Sequence, residues 1–338
     1  MTTGILIANL GSPDSPAVKD VRRYLRQFLM DPFVLDIPVW LRFLVVEFGI
    51  LPSRPHASAE AYRSIWTAEG SPLVTISRRF CAALKDSMTG PIALAMRYGS
   101  PSIESGVAEL VAMGVDRIVL VPMYPHYAMS SVTTVVVEFE SVMARLAPGV
   151  GKSVVPPFFS HPLYIAALAD QIRPVLLDVD HVLFSYHGLP ERHLKKTDPT
   201  GSHCMTEGCC DRKSVAHDTC YRHQVRITTQ RVVDTLGLSS DQWSLSFQSR
   251  LGKDPWLTPF TDAVIPELAA RGVKRLGVVC PAFVADCLET IEEIGDRGRA
   301  QFLVAGGTEL QMIPCLNDGP EWVAAMGTII QETVAATL

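Results

Sequence analysis

The 338-residue chain reads as an α/β protein of two similar domains, each a parallel sheet with helices on both faces. Three observations predict this. β-like runs alternate with helix-length segments for most of the length, the signature of right-handed βαβ units in doubly wound sheets. Several runs are continuously apolar, such as Ile118-Val119-Leu120-Val121, as suits parallel strands covered on both faces. The alternation runs through roughly four strands and restarts near the turn-rich stretch Ala147-Pro148-Gly149-Val150-Gly151. The expected division is residues 1–150 for an N-terminal domain and 151–316 for a C-terminal domain, with a cleft between them. Residues 317–338 form a closing helix expected to pack back on the first domain.

In chain order, strands are expected at 4–10, 91–98, 117–124, 153–158, 181–186, 243–248, 275–281 and 309–314. Helices are expected at 71–88, 102–113, 131–146, 162–177, 221–236, 259–271, 285–298 and 321–338. Ligands of such sheets bind beyond the carboxyl ends of the strands, so residues just past each strand carry the information. Two false leads are cleared. Gly149-Val150-Gly151-Lys152-Ser153 ends like a P-loop, but Leu146 stands where its first Gly is needed, and a strand follows. After the first strand, Asn9-Leu10-Gly11-Ser12-Pro13 makes a turn without a G-x-G-x-x-G pattern. No nucleotide site is expected.

Composition narrows the function classes. Hydrophobic residues make up 48 % and charged residues 19 %, enough for a core and unlike a disordered chain. A net charge of −5 with no basic block argues against nucleic acid as a partner. The N-terminus lacks a basic n-region and reads as a strand, so the chain is expected in the cytoplasm, where its eight cysteines are ligands or core residues rather than disulfides. Residues 33–51 are strongly apolar but include Asp36, Pro38, Arg42 and Glu47. Each charge costs about 2.5–3.5 kcal/mol at a bilayer centre, so no spanning helix is expected. Val39–Phe48 reads as a short helix, apolar nearly all round and ending at Gly49. It is either buried core or an apolar lip for peripheral contact at the inner membrane face.

Four strand ends carry chemistry. Ser185-Tyr186-His187-Gly188-Leu189-Pro190 places an imidazole at a strand's carboxyl end, able to take a proton near neutral pH or ligate a borderline metal. A hydrogen-bonded strand-end histidine is the bland alternative. Cys280 to Glu293 passes from strand to helix. On an α-helix Asp286, Glu289, Glu293 and Asp296 share one face, either a solvated stripe or the carboxylate half of a mixed N/O cation site. Phe247-Gln248-Ser249-Arg250-Leu251-Gly252-Lys253-Asp254-Pro255-Trp256 mixes polar groups with an indole, as a flat aromatic ligand bearing carboxylates would need, though it is equally a loop with a packed Trp. Pro122 to Ser131 ends a strand in Tyr124 and hydroxyls, pocket lining or core.

Together these segments resemble the ferrochelatase family along the whole chain, from Leu6-Ile7-Ala8-Asn9-Leu10-Gly11 to Pro314-Cys315-Leu316-Asn317-Asp318. The S-Y-H-G-L-P, F-Q-S-R-L-G and D-C-L-E-T motifs fall in the family's order and spacing. The resemblance implies a chelatase-like fold of two Rossmann-like domains, and a lyase that inserts Fe²⁺ into protoporphyrin IX in the last step of haem biosynthesis. It implies catalytic roles for His187 and Glu289 and substrate-binding roles for Leu10, Arg97, Tyr124, Ser249, Trp256 and Glu293. Its departure is Cys287, where a histidine is common, which leaves a metal role there in doubt. Insertion exchanges two pyrrole protons for one Fe²⁺, so a pocket that bends the macrocycle and a base are both needed. His187 is either that base, with Glu289 as proton route, or the iron ligand.

Cys204, Cys209, Cys210 and Cys220 are spaced C-x₄-C-C-x₉-C. Four thiolates suit a [2Fe–2S] cluster. The alternatives are zinc, with His203, His217 or His223 as substitutes, and an unligated loop. Clusters occur in some ferrochelatases, often from cysteines elsewhere in the chain. Two other functions stay open at this stage: a non-catalytic haem- or iron-binding protein, and a chelatase for another metal and tetrapyrrole.

Overall fold

In the computed structural model, residues 2–250, 252 and 254–336 are described. Leu251 and Lys253 of the third motif, Leu338 at the end of the closing helix, Thr337 before it and Met1 lie outside the described residues.

The expected strands form, among the described residues, two parallel sheets of four. The first holds β1 (Thr3–Ser12), β2 (Ile92–Gly99), β3 (Arg117–Pro122) and β4 (Gly151–Val154) in the order β2-β1-β3-β4. The second holds β5 (His181–His187), β6 (Trp243–Gln248), β7 (Arg275–Val279) and β8 (Glu309–Met312) in the order β6-β5-β7-β8. Register puts Ile7 beside Leu94 and Val121, and Phe184 beside Leu245 and Val279. The central strands are apolar on both faces because both faces are covered. Ile5, Leu6, Ile7 and Ala8 are all buried, as are Val182, Leu183 and Phe184.

The chain divides into two compact units. One comprises the residues up to Tyr124, Met129–Pro156 and those from Asn317 onward; the other comprises Pro125–Ala128 and Pro157–Leu316. The first unit therefore runs past residue 150. The strand expected to open the second domain, at 153–158, is instead β4, and Ile118, Val119 and Leu120 pair with Lys152, Ser153 and Val154. Its sheet-edge place is set by that pairing, which local composition does not show.

Close backbone packing explains key glycines. The helix Ile103–Ala112 starts at Ser102, whose hydroxyl accepts from Ser105 N at 3.1 Å. It lies so near β1 that a Cβ on Gly106 would stand 2.5 Å from Leu6. At Gly11, φ is +108° and a Cβ would stand 1.8 Å from the Tyr98 carbonyl oxygen, so only glycine can end β1 there.

Among the described residues, three helical stretches widen from the α period. Met129–Thr133, Val45–Ile50 and Ile291–Gly298 are π-helical, with i→i+5 bonds. The helix expected at 285–298 is thus a short α-turn, Leu288–Thr290, then the π segment, then Arg299–Val304 in α form. Asp286 lies ahead of it, so the four-carboxylate face read from an α period is not formed.

Val39–Leu44 continues through Gly49 to Ile50. The buried-core reading of this segment is not what occurs. Arg42 turns inward and donates to the carbonyls of Leu35, Ile37 and Met30 at 2.7, 2.8 and 3.0 Å. With Val46 it takes the one face available for burial. Trp40 and Phe48 are left 64 % and 70 % exposed, with Val39, Phe43 and Leu44 also in solvent. No helix among the described residues is long and apolar enough to cross a membrane.

Candidate active site

In the order β6-β5-β7-β8 the chain's connections change direction between β5 and β7. Ligands of open α/β sheets bind at the carboxyl ends beside such a switch point. β5 ends in His187, and the loop after β7 leads to Glu289. Gln248 and Ser249 follow from β6, beside β5. Topology therefore brings His187, Ser249, Trp256, Glu289 and Glu293 to one end of one sheet. Leu10, Arg97 and Tyr124 sit in the other unit, at the carboxyl ends of β1, β2 and β3.

His187 Nδ1 lies 2.7 Å from the Gly188 carbonyl oxygen. A carbonyl only accepts, so Nδ1 carries the proton and Nε2 holds the lone pair. Tyr221 fixes the same residue from behind, its hydroxyl donating to the His187 carbonyl at 2.9 Å. The Phe283 ring packs edge-on at 6.2 Å. Gly188 N donates to the Gln248 carbonyl at 2.6 Å, and a Cβ at Gly188 would meet that oxygen at 2.9 Å and the Trp256 ring at 3.3 Å. Trp256 is held over this turn by backbone bonds from Glu191 N to Pro255 O and from Leu257 N to Leu189 O.

Glu289 sits in the α-turn just before the π segment. Cys287 N donates to Thr290 Oγ1 at 3.1 Å, and the Thr290 hydroxyl donates to Asp286 at 3.0 Å. Asp286 also accepts from Cys315 N. Burial, reinforced by the Glu289 charge, pushes the Cys287 thiol well above its ordinary range. Cys287 is accordingly a neutral thiol beside the glutamate. Glu293 accepts from Ser249 N at 3.0 Å and from Ser249 Oγ at 2.5 Å. Ser249 adopts φ +59°, a strained value that aims both donors at this carboxylate.

In the other unit Arg97 is engaged internally. It donates to Asp31 at 2.6 Å and to Thr134 Oγ1 at 2.7 Å. Tyr98 and Thr134 also donate to Asp31. The Tyr124 hydroxyl is buried without a hydrogen-bond partner among the described residues, and burial raises its pKa. The residues missed from sequence are Asp31, Tyr221 and Gln248. Gln248 lay within a recognised motif, but only burial distinguishes its amide from a solvated one.

The cysteines stay unpaired: all eight are free and buried. Cys209 and Cys210 sulfurs are 4.0 Å apart, and Cys220 is hydrogen-bonded to both Cys204 and Cys210. The hydrogen bond to Cys220, then burial, raises the Cys210 pKa. His203, His217 and His223 bond the carbonyls of Cys209 and Cys210 at 2.8–3.1 Å, so these rings brace the loop's backbone. Among the described residues no group of three His, Cys, Asp or Glu side chains is placed to hold a metal ion.

The fold is shared with a chelatase class. SirB from Bacillus subtilis, solved with Fe³⁺, superposes with a TM-score of 0.55 at 14 % identity, covering 100 % of this chain and 97 % of that one. A cobalt complex of the sirohydrochlorin chelatase SirB from Bacillus subtilis subspecies spizizenii gives 0.56 at 12 % identity, covering 99 % and 96 %. Sequence is more specific than fold. The Ferrochelatase profile matches residues 2–334. The ferrochelatase of Pseudomonas fluorescens (strain Pf0-1) is 52 % identical over 336 residues, 98 % of each chain. That of Azotobacter vinelandii (strain DJ) is 51 % identical over 329 residues, 96 % of this chain and 97 % of the other. This chain belongs to the ferrochelatase family.

Proposed function

We propose that His187 and Glu289 carry the metallation step of this chain. The enzyme is a ferrochelatase, a lyase that inserts Fe²⁺ into protoporphyrin IX to form protohaem. The observation that supports the pair is the His187 tautomer, whose Nε2 lone pair is left for a pyrrole proton or for iron. Both pyrrole protons must leave as Fe²⁺ enters. The His187 Nε2 lone pair accepts them one at a time, and the Glu289 carboxylate one strand away passes each on to solvent before the next leaves. Trp256 offers a flat apolar face to a macrocycle, and Ser249 with Glu293 makes a rigid polar rim beside it. Arg97, Leu10 and Tyr124 are also proposed to bind substrate, Arg97 being oriented by Asp31. The test is anaerobic metallation of protoporphyrin IX and coproporphyrin III. His187→Ala with full activity would overturn the assignment.

Two finer readings accompany it. The exposed residues Val39, Trp40, Phe43, Leu44 and Phe48 make an apolar patch of the kind that docks at the inner membrane face, where a poorly soluble porphyrin partitions. The thiols of Cys204, Cys209, Cys210 and Cys220 are proposed as ligands of a [2Fe–2S] cluster. The reading is supported by four buried thiols in one loop, with the Cys209 and Cys210 sulfurs 4.0 Å apart, a number and type of ligand that suits such a cluster. Such a cluster is structural or sensory, since insertion involves no electron transfer. A visible absorption band in purified protein supports it; colourless protein with stoichiometric zinc refutes it.

A further inference from the structure

The amide of Gln248 joins the strand that carries His187 to the turn that carries Glu289. Gln248 ends β6, pairs in register with His187, and is 2 % exposed. Its Nε2 donates to the Glu289 backbone carbonyl at 2.7 Å. Its Oε1 accepts from the Ser185 hydroxyl at 2.7 Å and from the Cys280 thiol at 3.5 Å. A carbonyl cannot donate, so the amide has only this orientation.

The direction of the attached hydroxyl chain is fixed too. Ser185 spends its proton on Gln248, so it accepts from Thr261, 2.9 Å away. Thr261 in turn accepts from Ser246 at 2.7 Å. The bonds run one way, Ser246 to Thr261 to Ser185 to Gln248 to the Glu289 carbonyl, so each polarises the next. Ser185 stands two residues before His187 on the same face of β5. The acceptor carbonyl lies in the single α-turn just before the helix changes to i→i+5 bonding, where the helix's own ladder is least regular.

We infer that Gln248 is a positioning residue for metal insertion: its buried amide sets the Glu289 turn against the His187 strand. The inference rests on the proposed His187–Glu289 pair. A 1 Å error in reacting geometry costs about 100-fold in rate, so a fixed bridge between the two elements matters more for turnover than for affinity.

The experiment compares Gln248→Met and Gln248→Glu with the wild-type enzyme in anaerobic Fe²⁺ insertion, with porphyrin affinity and thermal unfolding measured on the same samples. Gln248→Met fills the space without either bond. Its kcat is expected to fall about 10- to 100-fold with KM for porphyrin nearly unchanged. Gln248→Glu restores the donor only while its carboxyl is protonated, and burial raises that carboxyl's pKa. The ratio of its kcat to that of wild type is therefore expected to fall as pH rises through the carboxyl's titration. A purely space-filling role would give a flat ratio. Wild-type kcat in Gln248→Met, or a flat ratio in Gln248→Glu, overturns the inference, and the second readout decides if the methionine variant does not fold. His187→Ala and Glu289→Gln run alongside separate the two claims. If either retains full activity, the His187–Glu289 reading fails by itself. If both are inactive while Gln248→Met is fully active, only the bridge fails.

Discussion

At the scale of single residues, the site depends on protons whose places are set by one acceptor each. The Gly188 carbonyl decides the His187 tautomer, so His187→Ala is expected to abolish insertion while porphyrin binding, followed by fluorescence quenching, stays near wild type. His126 shows the opposite use of an imidazole. Burial lowers its pKa to about 3, and its Nδ1 is buried without a hydrogen-bond partner among the described residues while Nε2 bonds Thr228. Its folded pKa is below the unfolded value near 6.5, so its contribution is complete above that value and is lost as pH falls toward 3. At pH 5 the penalty is about 2 kcal/mol, from about 1.4 kcal/mol per unit. His126→Gln should flatten the urea-unfolding stability between pH 6.5 and 4.5. An unchanged slope would show that other groups govern acid sensitivity.

Elements carry the next set of constraints. The apolar segment 39–50 was legible as helix, but its burial was not. The deciding fact is Arg42, whose three carbonyl acceptors come from residues 30–37 and claim the inner face. Trp40→Glu with Phe48→Glu should abolish flotation with anionic liposomes and leave turnover of detergent-dispersed porphyrin unchanged. Retained flotation would refute the proposed membrane contact of this patch. The end of β1 is similarly strict. Gly11→Ala combines a disfavoured φ with a backbone clash against Tyr98, and is expected to destabilise the fold by well over 1 kcal/mol in denaturant titration. The carboxylate helix shows the limit of periodicity. Residue spacing on an α period put Asp286, Glu289, Glu293 and Asp296 on one face. The π segment re-aims everything after Thr290, and Ser249 anchors Glu293 in that wider turn.

Over the whole molecule, the closing helix Pro320–Ala336 belongs with the first unit. Trp322 is buried and its ring lies 6.3 Å from that of Phe80 on the helix Pro72–Ser87. Trp322→Ala should therefore cost about 3–5 kcal/mol, read as a loss of thermal stability in the isolated protein. The sequence by itself determined the class of fold, because buried parallel strands must be continuously apolar and must alternate with helices. It also determined His187 and Glu289 as the residues to examine, because turns and breakers mark where strands end and the family's motifs sit at those ends. Only tertiary structure decided which strand ends are neighbours, since the order β6-β5-β7-β8 depends on pairings between residues far apart in the chain. It alone decided that β4 completes the first sheet, that Arg97 is tied to Asp31, and that Gln248 is buried between the strand of His187 and the turn of Glu289. The physical reason is common to all three. Hydrophobic periodicity reports which side of an element meets the core, whereas a hydrogen bond between distant side chains is a property of packing and leaves no period to read.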